Sequence, residues 1–174
     1  RIAKAVNFWV IYWISPFWLA KMIWISQAEA RIYIDKFYEK YPKIWIYFNK
    51  IIAECEKTWF VETMFWRKRL ISWINDRNQM IKKHSEREAM NMPIQWTAAD
   101  IIKIAMIKID DFITKNNYKS RMIMQVHDEL VFNVVPEEID IFENEIQQIM
   151  ENIISWKVKL KVEWGIWKSW KEAK

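Results

Sequence analysis

The stretch MQVHDELVF, residues 124–132, sets a histidine and two carboxylates side by side between two apolar, β-prone runs. RMIMQV (121–126) and ELVFNV (129–134) read as strands, and His127-Asp128 between them reads as the tip of a tight hairpin. A carboxylate on a rigid turn is a good ligand for Mg²⁺, because the hard cation takes oxygen donors and the strands fix their geometry. Asp128 is the candidate metal ligand, and with Glu129 beside it the candidate catalytic pair. Aspartate is also a common turn residue, and for this stretch taken alone that plain reading is the stronger.

The elements that must position such a tip need a core, and the composition provides for one. Apolar residues make up 52% of 174 residues, enough to exclude disorder and consistent with one domain or part of a larger one. Cys55 is the single cysteine, which excludes a disulfide within the chain and a Cys-based zinc site and points to a reducing, intracellular setting. The net charge is +5, compatible with a polyanionic partner without requiring one. It is unevenly spread: residues 67–87 hold seven Lys/Arg against two acids, and residues 122–156 hold eight acids and no Lys or Arg. The opening run FWVIYWISPFWLAKMIW (8–24) is interrupted by Ser15 and Pro16 and ends near Lys21, too short and broken to span a bilayer. The chain begins on Arg1 rather than Met, as expected of a fragment.

Along the chain, residues 1–12 have helical periodicity, and Ser15-Pro16 opens a short helix to about residue 23. Ser26-Gln27-Ala28-Glu29 is a capping box, followed by Ile34, Phe37, Tyr38 and Tyr41 at helical spacing. Pro42 opens a helix over 43–57 with Ile44, Tyr47, Ile51 and Cys55 on one face. Two short strands are expected around Phe65-Trp66, then a basic loop at 72–78 and a helix to about residue 92. Pro93 marks a break, and Thr97-Ala98-Ala99-Asp100 reads as a cap opening a long helix striped by Ile101, Ile102, Ala105, Ile109, Phe112 and Ile113. After the hairpin, Pro136-Glu137-Glu138 starts a helix buried through Ile139, Phe142, Ile146, Ile149 and Ile153. KVKLKVEW (157–164) alternates strictly, as a strand with one wet face. The expected class is α+β: a mostly helical segment, then a small antiparallel sheet whose hairpin carries His-Asp-Glu, with a helix packed on it.

The stretch around Asp128 resembles motif C of the family A DNA polymerases, those of the bacterial DNA polymerase I type. RIAKAVNFWVIYW resembles most of motif B, the nucleotide-binding helix of the fingers. VETMFWRKR, NMPIQWTAADIIK and VEWGIWKSWKEAK resemble further family segments in the same order, so the likeness covers essentially the whole chain. It implies fingers over 1–92 and palm over 93–174. It also implies template-dependent nucleotidyl transfer in replication or repair, with two Mg²⁺ ions, primer-template DNA and deoxynucleoside triphosphates as partners, by a cytoplasmic, nucleoid-associated monomer without membrane attachment.

Residue by residue, Lys4, Phe8 and Tyr12 correspond to the Lys, aromatic and Tyr of motif B, which meet the incoming nucleotide. Their spacing alone fits a core stripe with a solvated lysine equally well. Arg87, Asn91 and Gln95 correspond to residues that contact primer-template, and His127 to the residue beside the primer terminus. Spacing alone would make the first three an exposed polar face, and a lone histidine is more often structural. Asp128, assisted by Glu129, corresponds to one of two metal-binding aspartates; the other belongs to motif A, upstream of motif B and outside this chain. The isolated chain is therefore expected to be inactive, and a non-catalytic DNA-binding or structural fragment is the alternative reading.

The tryptophans depart from the family. The chain holds 13 Trp and one Gly, Gly165, where average usage of about 7% predicts roughly 12 Gly. Trp9, Trp13 and Trp18 stand at family glycines, as do Trp59, Trp66, Trp96 and Trp167, and Trp24 is read the same way; Trp170 matches a family Trp. Either one codon, UGA, encodes glycine in the source, or the protein is Trp-rich and bears bulk where the family bears none.

Overall fold

A computed structural model describes residues 9–10, 14–169 and 171–172. The expected helix over 1–12, with Lys4, Phe8 and Tyr12, lies outside the described residues apart from a helical pair at 9–10. The chain divides into two compact units, Arg1–Thr97 and Ala98–Lys174.

The first unit opens with α1 (Pro16–Ile23), whose N-cap Ser15 accepts a hydrogen bond from the Trp18 N–H. Helix α2 (Gln27–Lys40) begins on the full capping box: the Glu29 N–H donates to the Ser26 hydroxyl and the Ser26 N–H donates to the Glu29 carboxylate. Leu19, Ala20 and Ala30 form a small core between them. Helix α3 (Pro42–Thr58) buries Phe48, Ile51 and Cys55. Tyr47, expected on that face, is exposed; Phe48, one residue on, keeps the 3.6-residue period from Ile44 through Ile51 to Cys55 and takes the core position. Burial, with Glu56 adjacent, pushes the Cys55 thiol up to about 11.

Strands β1 (Phe60–Glu62) and β2 (Lys68–Leu70) pair antiparallel, as expected around Phe65-Trp66. Val61, Ile71 and Ile74 close over Phe48, Ala89, Met90 and Met92 to complete the larger core of this unit.

Helix α4 runs unbroken from Gln79 to Lys115 and contributes to both units. The expected break at Pro93 does not occur. A proline inside a helix costs roughly 3 kcal/mol, but Ala89, Met90, Met92 and Pro93 are all buried, and their packing outweighs the lost backbone hydrogen bond. The expected cap at Thr97 is likewise absent: its hydroxyl accepts from the Met64 N–H at 3.0 Å and ties the β1–β2 turn to the helix.

In the second unit, Ala105, Ile109 and Ile113 of α4 pack with Phe142 and Ile146 of α5 (Ile139–Glu151). Strands β3 (Arg121–Val126) and β4 (Glu129–Asn133) form a two-stranded antiparallel sheet, from which Leu130 and Phe132 join this core. The rings of Phe112, Tyr118, Phe132 and Phe142 interlock, Phe132 lying 6.2 Å from Phe142 in an edge-on arrangement. The class is therefore mixed: helices with small antiparallel sheets. The expected strand over 157–164 is not formed. Its alternation is real, but at Val162 side chains of α5, not a neighbouring strand, take the backbone groups. The Val162 N–H donates to Glu151 at 3.1 Å, the Val162 carbonyl accepts from Gln147 at 3.3 Å, and Trp164 stacks on Phe132.

Glu138, in the 3-10 turn Pro136–Glu138, fixes the start of β3. Its two carboxylate oxygens accept from the Lys119 and Ser120 N–H groups, each at 2.9 Å. Burial pushes its pKa upward, but the hydrogen bonds from Ser120 and Lys119 outweigh this and hold it below the usual carboxylate value. A depressed carboxylate stabilises the fold above the ordinary value, and that contribution is lost as pH falls through the folded value. Amide exchange at Lys119 and Ser120, corrected for intrinsic rates, should accelerate on acidification through that range. Glu138→Gln should accelerate it at neutral pH and remove the pH dependence.

Candidate functional site

The hairpin tip is built by register. Val126 pairs with Glu129, so His127-Asp128 is a two-residue loop, and a bulge between Met122 and Met124 accommodates the rest of the ladder. Two-residue loops need left-handed backbone to match strand twist. His127 supplies it at φ 54°, and histidine is among the residues that tolerate this region best. Gln125 Nε2 donates to the His127 carbonyl at 2.8 Å and braces the turn. His127, Asp128 and Glu129 are exposed, while Leu130 and Phe132 below them are anchored in the core. Two adjacent carboxylates thus stand on a short, well-anchored support. Among the described residues no group of three His, Cys, Asp or Glu is placed to hold a metal ion. Asp128 and Glu129 offer part of the about six oxygens that Mg²⁺ takes.

The first unit brings the second set together. Arg87, Asn91 and Gln95 follow one another along α4 and line an open groove of about 490 Å³ with Trp9, Ile14, Ser15, Trp18 and Met22. The same three residues border a second hollow of about 290 Å³ with Arg69, His84, Glu88 and Trp96. Arg87 and Gln95 are exposed; Asn91 is half-buried, and its side-chain oxygen is buried with no hydrogen-bond partner among the described residues. The basic stretch 67–87 is less free than its composition implies. Arg69 pairs with Glu88 at 2.9 Å, Lys82 with Glu56 at 2.7 Å and Lys68 with Glu62 at 3.5 Å. Arg67 lies over the Trp96 ring, 4.2 Å from its centroid, and donates to the Trp96 carbonyl.

The sequence reading gave Gln125 no role, and it did not place Arg69 and Trp96 beside Arg87, Asn91 and Gln95. Gln125 carries no signal at its position. Arg69 was legible as the one residue of Lys68-Arg69-Leu70 on the opposite face of β2, since alternate strand residues face opposite sides.

A sequence model of DNA polymerase family A matches residues 1–172. The chain belongs to that family. It is 45% identical over 174 residues to DNA polymerase I of Lactococcus lactis subsp. lactis, covering all of this chain and 20% of that protein. It is 44% identical over 172 residues to DNA polymerase I of Caldicellulosiruptor bescii, covering 99% of this chain and 20% of that protein. For DNA polymerase I of Bacillus subtilis the identity is 39% over 174 residues, again all of this chain and 20% of the relative. The chain therefore spans about a fifth of the length of the curated relatives it matches. Among solved structures it is similar to the POL domain of Pol1 from M. smegmatis in complex with DNA primer-template and dNTP. The TM-score there is 0.88 at 32% identity, over 92% of this chain and 28% of that one. Among the described residues of this family A chain, no helix is long and apolar enough to cross a membrane.

The bracing of the tip is testable directly. Gln125→Ala should speed amide exchange at the tip while lowering overall stability by no more than about 1 kcal/mol, the net value of one hydrogen bond. Urea titration and exchange on the same sample check both halves.

Proposed function

We propose that this chain is the part of a DNA-directed DNA polymerase that carries one side of a two-metal nucleotidyl-transfer site, acting in replication or repair. The observation that carries the reading is Asp128, with Glu129, at the tip of a hairpin braced by Gln125 and seated on an aromatic core. In this reading residues 1–92 are fingers and 93–174 palm, and the whole enzyme works as a cytoplasmic, nucleoid-associated monomer.

The donor set suits Mg²⁺: both carboxylates are oxygen ligands, exposed, with room for water and substrate oxygens to complete the shell. A metal held there would supply Lewis acidity toward the primer 3′-hydroxyl and the nucleotide phosphates. The chain's own residues do the rest by positioning. Asp128, assisted by Glu129, would hold the metal, and His127 would stand at the primer terminus. Lys4 neutralises the triphosphate, and Phe8 and Tyr12 pack against base and sugar. Arg87, Asn91 and Gln95 track primer-template through phosphates and minor-groove acceptors, contacts that position a duplex without reading its sequence.

One observation favours the alternative of a non-catalytic DNA-binding or structural piece: Trp9 and Trp18 wall the same groove as Arg87, Asn91 and Gln95.

Two substitutions in the full-length enzyme test the proposal. Asp128→Ala should abolish Mg²⁺-dependent primer extension, a loss beyond the roughly 10–100-fold typical of residues that only support a ligand, with primer-template affinity nearly unchanged. Extension at near the parent rate would remove Asp128 from the site. Lys4→Ala should raise the KM for nucleotide far more than the Kd for DNA; equal losses in both would make it a DNA-backbone contact.

A further inference from the structure

Among the described residues, five other than glycine hold the backbone at positive φ, and three of them are tryptophans: Trp24 (φ 60°), Trp59 (φ 65°) and Trp66 (φ 65°). A bulky residue there is an outlier. In the left-handed region a Cβ crowds the following carbonyl oxygen, a strain that glycine does not incur.

Each of the three sits where a fold calls for glycine. Trp24 follows the last residue of α1, and the next N–H, of Ile25, reaches back to the Ala20 carbonyl at 3.1 Å. Ile25 also packs against the small core of Leu19, Ala20 and Ala30. That is the Schellman closure, whose left-handed position is most often glycine. Trp59 closes α3 in the same left-handed conformation, its N–H bonded to the Cys55 carbonyl at 2.7 Å. Trp66 ends the three-residue loop Met64-Phe65-Trp66, with the Trp66 N–H donating to Thr63 and the Thr63 N–H to Arg67. A turn followed by one left-handed residue is the glycine-bulge hairpin.

Nothing in the packing offsets these positions. Trp24 is 89% exposed, Trp66 80% and Trp59 46%, although an indole normally contributes by burying its area. Trp164 is the opposite case: its ring stacks on Phe132 in the core of the second unit, and its φ is not positive. The tryptophans are therefore of two structural kinds, in a chain of 13 Trp and one Gly.

We infer that positions 24, 59 and 66 are glycine in the functional polypeptide, because the cell decodes UGA as glycine and UGG as tryptophan. UGA differs from the glycine codon GGA in its first base alone, so a single anticodon change in a glycine tRNA suffices. Trp9 and Trp18, which stand at glycines of the family, are assigned with them on that resemblance. Glycine there removes two indoles from the groove along Arg87, Asn91 and Gln95, leaving room for a nucleic-acid backbone against those polar groups.

The test is tandem mass spectrometry of the protein purified from its source cells. Trypsin releases residues 22–31, which carry position 24; residues 58–67, which carry 59 and 66; and residues 162–168, which carry 164. Glycine is expected at 24, 59 and 66 and tryptophan at 164, with UGA and UGG respectively in the gene. Tryptophan at any of the first three, or UGG encoding it, would overturn the inference, and glycine at 164 would overturn the sorting by backbone and packing.

Discussion

Chain reversals in the left-handed region are the constraint on which the rest of this structure depends. Trp24 joins α1 to α2, Trp59 joins α3 to β1, and Trp66 turns β1 into β2. Asn117 joins α4 to β3, and His127 turns β3 into β4. The backbone at each fixes the direction in which the next element leaves, so cores assembled from successive elements rely on it. Asparagine and histidine are chemically suited to the task. The tryptophans are not, and the fold places their rings in solvent while keeping the backbone turn. Direction at these junctions is set by main-chain geometry, and the residue that occupies them is secondary to it.

What those turns deliver is two groups of polar side chains on stiff supports. His127, Asp128 and Glu129 stand above interlocked aromatic rings, with Glu138 holding the entry to β3 from behind. Arg87, Asn91 and Gln95 stand on a helix whose inner residues are packed through its proline. Both arrangements place exposed polar chemistry over buried apolar anchors, as suits groups meant to hold position while facing solvent. The electrostatics follow the same economy. Glu56, Glu62 and Glu88 temper the basic stretch by holding Lys82, Lys68 and Arg69 in ion pairs.

Local signals in the sequence were legible where local chemistry decides. Ser15-Pro16, the Ser26–Glu29 capping box and the hairpin at His127-Asp128 each act within a few residues, and each lies where the residues predict. The failures share a cause. Pro93 and Thr97 read as a stop and a start because neither shows in sequence that Met90 and Met92 would be buried or that Met64 would bond the threonine hydroxyl. The alternation of 157–164 specifies a two-faced extended segment but cannot name its hydrogen-bond partner, and Glu151 and Gln147 take that role. For the candidate site, the sequence shows Asp128 at a hairpin tip and Arg87, Asn91 and Gln95 at four-residue spacing. The groove shared with Trp9 and Trp18, and the carboxylates drawn to the basic stretch, depend on contacts between distant segments.

The buried Cys55 has a practical corollary. With its thiol raised to about 11, the reactive thiolate at neutral pH amounts to on the order of one molecule in ten thousand, and that small fraction is enclosed in the core. As the sole cysteine of this chain, it leaves the surface without a competing thiol. A cysteine introduced on the hairpin loop or along the exposed face of α4 would take a maleimide dye or spin label selectively, with the native thiol left in place to fill its space beside Phe48 and Ile51.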